Sequence, residues 1–386
     1  MISYAKHTIN TDDIISVKKV LLSSNLTQGL EVNKFENNLK KYFSAKYACV
    51  TSSGTAALHL VALAYGWKKG DIIITTPMSF VATANCIEYT GAKPYFIDIE
   101  AETGNISPLN LEKALKKLNK EKKKVKAAIC VDYAGNICDW KNLKKISRKY
   151  KINLINDNCH AIGSRLEGDQ GYALKYADAV THSYHPAKNI TTGEGGAVLT
   201  NNKKIYKKIF NYRTHGIKKL VNDKPWYYEM KNLGFNYRLT DFQSALGSSQ
   251  LKKLNLFIKK RNLIAAKYNK NFRNLKNIKI PIQNKNVTHS YHLYSLLIDF
   301  KKIGKSKEKF FKQMKKNGFQ LQVHYIPIHY QPFYKKKYKF KNGDFPNAEN
   351  FYKRQVSLPI HPSLKKKDQS KIIRILLKIF NEKKIK

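Results

Sequence analysis

Along the first two thirds of the chain, short continuous apolar runs alternate with stretches of helical spacing. "ACVT" (48–51) predicts a strand, "SSGT" a turn, and "AALHLVALAYG" a nearly all-apolar helix. "DIIITT" (71–76) predicts a strand followed by Pro77 and a helix over "FVATANCIEYTG". "KPYFID" (93–98), "VKAAICVDY" (125–133), "INLIND" (152–157) and "DAVTHSYH" (178–185) read as further strands, with "WKNLKKISRKY" helical between the second and third of them. Apolar strands without polar alternation, separated by helices, predict a largely parallel sheet covered on both faces, hence an α/β fold.

From about residue 250 the texture changes. "LKKLNLFIKKRNLIAAKYNKNFRNL" predicts one long amphipathic helix. "HSYHLYSLLIDF" and "LQVHYIP" follow as strands, "SKEKFFKQMKKNGF" as a helix between them, and "SKIIRILLKIFNEKK" as a closing helix. The pattern divides the chain into a large domain over 1–255 and a smaller α+β domain over 256–386.

Charge adds a question. The chain has 386 residues, 72 Lys plus Arg and 27 Asp plus Glu, for a formal net charge of +45. Such a surface attracts nucleic acid or anionic small molecules. Lys, Asn and Ile are all abundant and no nucleic-acid-binding signature is present, so a biased composition explains the charge and no nucleic-acid partner is expected. The five cysteines are scattered and form no CxxC pair, which argues against disulfides and a zinc site. No run of eighteen apolar residues and no secretory leader pattern appears, so the chain reads as cytoplasmic, without a membrane partner.

Three short motifs carry candidate chemistry. "TSSGTAALHL" stands at a strand-to-helix junction, where Gly54 and Thr55 open the helix. Free N–H groups and the positive dipole end there make an anion site, although an ordinary helix cap reads the same way. "INDNCHAIG" puts Asp157 at the C-terminal end of an apolar strand, the edge where open α/β sheets bind ligands, with His160 three residues on. "SYHPAKNITTGEGG" holds Lys188 just beyond the next strand, between Ser183 and a glycine-rich turn, unlike the solvated lysine runs elsewhere. An anion cradle, a strand-end carboxylate and an isolated lysine suit pyridoxal 5′-phosphate. It needs a phosphate site, a carboxylate on its pyridine nitrogen and an amine for a Schiff base. Ser183 can add a hydroxyl to the cradle and Phe80, after "TTPMS", can stack on the ring.

With "LTQGLEVNKFE", "PMSFVATANCI", "GFNYRLTDFQSALG" and "VHYIPIHYQPFY", these motifs resemble the DegT/DnrJ/EryC1/StrS sugar aminotransferases, nearly end to end. The resemblance implies the fold-type I architecture of pyridoxal-phosphate enzymes. It implies that Lys188 is the Schiff-base lysine and proton shuttle and that Asp157 pairs with the pyridinium. It implies that His160 contacts the side of the ring hydroxyl, that Gly54, Thr55 and Ser183 hold phosphate, and that Phe80 stacks. Asn236 matches a residue that reaches the neighbouring subunit's phosphate, which implies a homodimer with shared active sites. Arg238, His324 and Tyr325 match substrate-binding positions. "LTQG" and "VHYIPIHYQPFY" are most similar to transaminases of pseudaminic acid synthesis. These imply L-glutamate as donor and a UDP-linked 4-keto-6-deoxy-N-acetyl hexosamine as acceptor; another nucleotide keto-sugar, of the GDP-perosamine type, is the alternative. Sugar dehydratases of the same fold carry His in place of the lysine, and Lys188 sets this chain apart from them. A basic nucleic-acid-binding protein on an inactive scaffold is the remaining rival, supported by charge alone. Many relatives have Glu-Asp where this chain has Asn156-Asp157, and a small residue where it has Asn158.

Overall fold

The structure, a computed structural model, describes residues 1–219, 224–282, 284 and 286–381. Seven strands form the central sheet: β1 (Tyr47–Thr51), β2 (Ile72–Thr75), β3 (Lys93–Phe96), β4 (Val125–Val131), β5 (Asn153–Asp157), β6 (Ala179–Ser183) and β7 (Gly196–Thr200). Their spatial order is β1-β7-β6-β5-β4-β2-β3. All pairs are parallel except those of β7, which runs against both β1 and β6. Ile73, Ile74, Ala127, Ala128, Leu154 and Ile155 are fully buried in its middle strands. Helices cover both faces, which is why these strands are apolar throughout rather than at alternate positions.

Two helices start at the sheet's C-terminal edge. Helix α1 (Gly54–Ala64) follows β1, capped by Ser53, and helix α2 (Ala82–Glu88) follows β2. Gly196, the first residue of β7, pairs with Thr51 on one side and Ser183 on the other. A Cβ at Gly196 would lie 2.4 Å from the Ser53 carbonyl oxygen, so only glycine lets β7 pass under the start of α1.

Helix α3 (Asp241–Phe272) is 32 residues long and opens with a capping box between Thr240 and Gln243. It begins ten residues before the predicted amphipathic run and passes residue 255 unbroken. Leu251, Leu254 and Ile258 pack into the core under the large sheet, whereas Ile264, Tyr268 and Phe272 pack into a second core. That second core lies against a three-stranded antiparallel sheet of β8 (Ile278–Lys279), β9 (Tyr294–Ile298) and β10 (Gln355–Leu358). Residues Ile2–Ser3 pair with Phe319–Gln320, so the first residues of the chain join the C-terminal unit.

The strand predicted over "LQVHYIP" is not formed. Only the bridge between Gln322 and Ser357 remains, and the chain then leaves the sheet. Side chains take its amide groups: His324 N–H donates to Gln355 Oε1 at 2.8 Å and Tyr325 N–H to Met78 Sδ at 3.5 Å, and just beyond the segment Ile328 N–H donates to the Pro77 carbonyl at 2.8 Å. The apolar-polar alternation there serves a wall between two units, not a ladder.

Several histidines are buried as neutral rings. Burial pushes His182 in β6, and His289 before β9, down to about 3. An unfolded histidine titrates near 6.5. Below that pH the unfolded chain takes up protons that the folded chain refuses, so folding stability falls as pH falls. Each ring then contributes a loss that grows as pH falls between roughly pH 6.5 and 3. The urea midpoint is therefore expected to drop clearly from pH 7 to pH 5; an unchanged midpoint would contradict neutral burial of these rings.

Candidate active site

Four strand ends converge at one edge of the sheet. β1 leads into Ser53, Gly54 and Thr55; β2 into Ser79, Phe80 and Thr83; β5 ends in Asp157, followed by Cys159 and His160; β6 ends in Ser183 and leads to Lys188. They line one cavity of roughly 630 Å³, closed from the other side by Tyr4, His292, His324 and Tyr325. Parallel strands put all their C-terminal ends on one edge, and the connections there are free to carry chemistry.

The start of α1 presents free amides to the cavity. Ser53 Oγ accepts from Ala56 N–H at 3.0 Å, leaving the first amides, Gly54 and Thr55, without an intrahelical acceptor. A Cβ on Gly54 would come within 2.8 Å of Ser183 Cβ, so glycine brings the Ser183 hydroxyl beside those amides.

Asp157 is buried, and its carboxylate is held on both oxygens. Thr83 Oγ1 donates to Oδ2 at 2.7 Å, and Cys159 N–H donates to Oδ1 at 3.2 Å. Ser79 Oγ sits 2.6 Å from Thr83 Oγ1. Thr83→Val keeps the shape and removes the donor to a buried carboxylate. It is expected to cost about 1.5–3 kcal/mol, read as a lower denaturation midpoint of the cofactor-free protein.

Lys188 sits in a loop tied down at its base. Tyr184 N–H donates to the Gly195 carbonyl at 2.8 Å, Thr192 N–H to the Tyr184 carbonyl at 3.0 Å, and Asn189 Nδ2 to the Ile162 carbonyl at 2.8 Å. Burial lowers the Lys188 ammonium below its ordinary pKa, with Cys159 and Asp157 acting the other way. A lysine so placed yields its proton more readily than a surface lysine does. His160 is buried beside it. Its Nδ1 accepts from Ala134 N–H at 3.2 Å and its Nε2 lies 2.8 Å from Tyr325 Oη. Burial, then Lys188 and His324, hold its pKa well below the usual histidine value.

Of the residues singled out in the sequence, Gly54, Thr55, Phe80, Asp157, His160, Ser183, Lys188, His324 and Tyr325 all line this cavity. Phe80 is exposed at its rim, 5.8 Å ring-to-ring from Tyr325. Asn236 and Arg238 do not line it. Asn236 is exposed and bridges Thr214, and Arg238 is half-buried in the same segment, whose Tyr237 carbonyl accepts from Ser52 N–H at 2.8 Å. Sequence reading missed Thr83, Tyr4 and His292. Thr83, four residues after Ser79 on the same turn, was within reach of it; Tyr4 and His292 arrive only through packing of the second unit. Among the described residues no group of His, Cys, Asp and Glu is arranged to hold a metal, and no helix is long and apolar enough to cross a membrane.

The model of the DegT/DnrJ/EryC1/StrS aminotransferase family matches residues 7–377. This chain belongs to that family. The aminotransferase is 40% identical over 371 residues to a UDP-4-amino-4,6-dideoxy-N-acetyl-beta-L-altrosamine transaminase of Campylobacter jejuni, covering 95% of this chain and 94% of that one. Its fold matches Helicobacter pylori PseC, an aminotransferase involved in the biosynthesis of pseudoaminic acid, with a TM-score of 0.89, 33% identity and coverage of 98% and 99% of the two chains. It also matches NtdA of Bacillus subtilis, solved with bound PMP, at a TM-score of 0.84 and 27% identity, over 96% of this chain and 83% of that one. The aminotransferase is a pyridoxal-phosphate-dependent enzyme acting on sugars. Its own residues fit that cofactor: free helix amides and a hydroxyl suit a phosphate, and a buried carboxylate and a half-buried amine share the cavity.

Proposed function

We propose that the aminotransferase moves an amino group from L-glutamate to C4 of a UDP-linked 4-keto-6-deoxy-N-acetyl hexosamine, in the synthesis of pseudaminic acid or a related surface sugar. The meeting of Lys188, Asp157 and the amide end of α1 in one cavity carries the amino-transfer part of the reading. The substrate part is supported by likeness to the Campylobacter transaminase along nearly the whole chain.

In this reading pyridoxal phosphate supplies the carbonyl that takes up the amino group and the ring that accepts an electron pair. Gly54 and Thr55 amides with the Ser183 hydroxyl bind the phosphate. Asp157, fixed by Thr83 and the Cys159 amide, keeps the pyridine nitrogen protonated. Phe80 covers the ring. Lys188 Nζ holds the cofactor and, once displaced by an incoming amine, carries the proton to and from the carbon that loses or gains nitrogen. His324 and Tyr325 contact the sugar, and Arg238 contacts donor or nucleotide. Asn236, exposed and outside its own cavity, reaches the phosphate of a second copy, so the active form is a homodimer.

The test is to supply L-glutamate with the UDP-linked keto-sugar or a GDP-linked 4-keto-6-deoxy sugar. Mass spectrometry follows the amino sugar, and 2-oxoglutarate is measured alongside. Product from the UDP sugar with matching 2-oxoglutarate is expected. Amination of the GDP sugar alone would replace the substrate, and product without 2-oxoglutarate would replace the donor.

A further inference from the structure

His160 uses both ring nitrogens, and the first partner dictates the second. Ala134 N–H points at Nδ1 from 3.2 Å. An amide N–H only donates, so Nδ1 presents a lone pair. A neutral imidazole with a bare Nδ1 carries its proton on Nε2. Nε2–H therefore donates to Tyr325 Oη, 2.8 Å away. The opposite direction would leave an Nδ1–H facing the Ala134 N–H, donor against donor. Ala134 is itself held in the left-handed region at φ 59°, ψ 0°, costly for a residue with a Cβ, and this conformation sets the amide that faces His160.

Tyr325 oxygen thus accepts from His160 and its own proton is left over. It has no other hydrogen-bond partner among the described residues, and its ring lines the cavity with Lys188. We propose that Tyr325 donates its hydroxyl proton in a hydrogen bond to an oxygen that gains negative charge in this cavity, and that His160 is the positioning residue that directs it there. The proposal rests on the amino-transfer reading for the identity of that oxygen: the ring oxygen of the cofactor or the carbonyl oxygen of the keto-sugar.

The surroundings keep both groups in the required state. Around His160 stand His292, at 4.4 Å ring-to-ring, together with Lys188 and His324; with burial, they disfavour a second proton on the ring. Around Tyr325 stand Tyr133, Tyr4, Asp157 and Cys159; burial and these groups hold the phenol well above its ordinary pKa, so it keeps its proton.

Two experiments test this. In cofactor-free protein labelled with ¹⁵N-histidine, His160, identified by its absence in H160Q, is expected as the Nε2–H tautomer. The Nδ1–H tautomer would overturn the proposal whatever reaction the enzyme runs. In the loaded enzyme, Y325F removes the donor. If the acceptor is the cofactor oxygen, the pH midpoint of the visible band without substrates rises by about one unit, because a lost donor disfavours the anion. If it is the sugar carbonyl, the midpoint stays and the single-turnover rate with keto-sugar falls at least about tenfold, with the donor half-reaction less affected. H160L should reproduce the Y325F change, H160Q, which keeps an N–H at its tip, should recover part of it, and H160L added to Y325F should change little further. No change in Y325F, or independent effects in the double variant, would overturn it. Failure of the amino-transfer reading shows separately, as a wild-type band that ignores amino donors.

Discussion

Lys188→Ala is expected to abolish amino transfer and the visible band of the bound cofactor together. Many lysines surround the molecule, but among the described residues that line the cavity Lys188 is the one lysine. Its loop is closed by the Tyr184–Gly195 and Thr192–Tyr184 hydrogen bonds, and residues 184–195 hold no second lysine. Loss of a positioned proton carrier alone removes about 10²–10⁴-fold, and loss of the attachment point adds to it. Lys188→Arg separates charge from chemistry: it keeps a cation in the cavity but has no amine that gives up its proton near neutral pH. Both variants should be inactive while their cofactor-free forms keep the wild-type unfolding free energy within about 1 kcal/mol, because among the described residues Lys188 forms no ion pair to lose. Substantial turnover by either would remove Lys188 from the reaction.

Asp157→Asn is expected to lower the turnover rate by roughly 10²–10³-fold, the scale of removing one preorganised electrostatic partner from a dry site. The carboxylate is buried, so its charge is poorly screened. Asparagine keeps the shape and can still accept from Thr83, but it offers no charge to hold a proton on the pyridine nitrogen. The effect should fall on both half-reactions, since both draw electrons into the same ring. Single-turnover measurements with amino donor and with keto-sugar check this. A loss confined to one half, or smaller than about tenfold, would mean that something other than Asp157 holds the ring protonated.

Much of the seven-stranded sheet was legible because its strands are buried on both faces. Short apolar-rich runs such as "DIIITT" and "INLIND", bounded by turn residues, fit interior strands, and each was followed by a motif with its own punctuation. Lys188 stood out through its neighbours: a serine at the strand end and a glycine-rich turn are not features of a solvated lysine run. The segment 321–327 misled the same reading. Its alternation matches a half-buried strand, but its amides bond to the side chains of Gln355 and Met78, partners no local pattern announces. The start of α3 also escaped, because residues 241–250 face protein on many sides and show no clean stripe: Ser244, Ala245, Ser248, Ser249 and Gln250 are all buried.

By itself the sequence determined the parallel α/β sheet and the family, and it singled out Lys188 and Asp157 as the candidates for the chemistry, because strand burial and strand-end punctuation are written in contiguous residues. Only the tertiary structure decided which groups set the state of those candidates. Thr83 fixes the Asp157 carboxylate, Ala134 fixes the proton on His160, and Tyr4, His292 and Tyr325 close the cavity from the second unit. A hydrogen bond depends on distance and direction between residues far apart in the chain, and the order of residues holds neither.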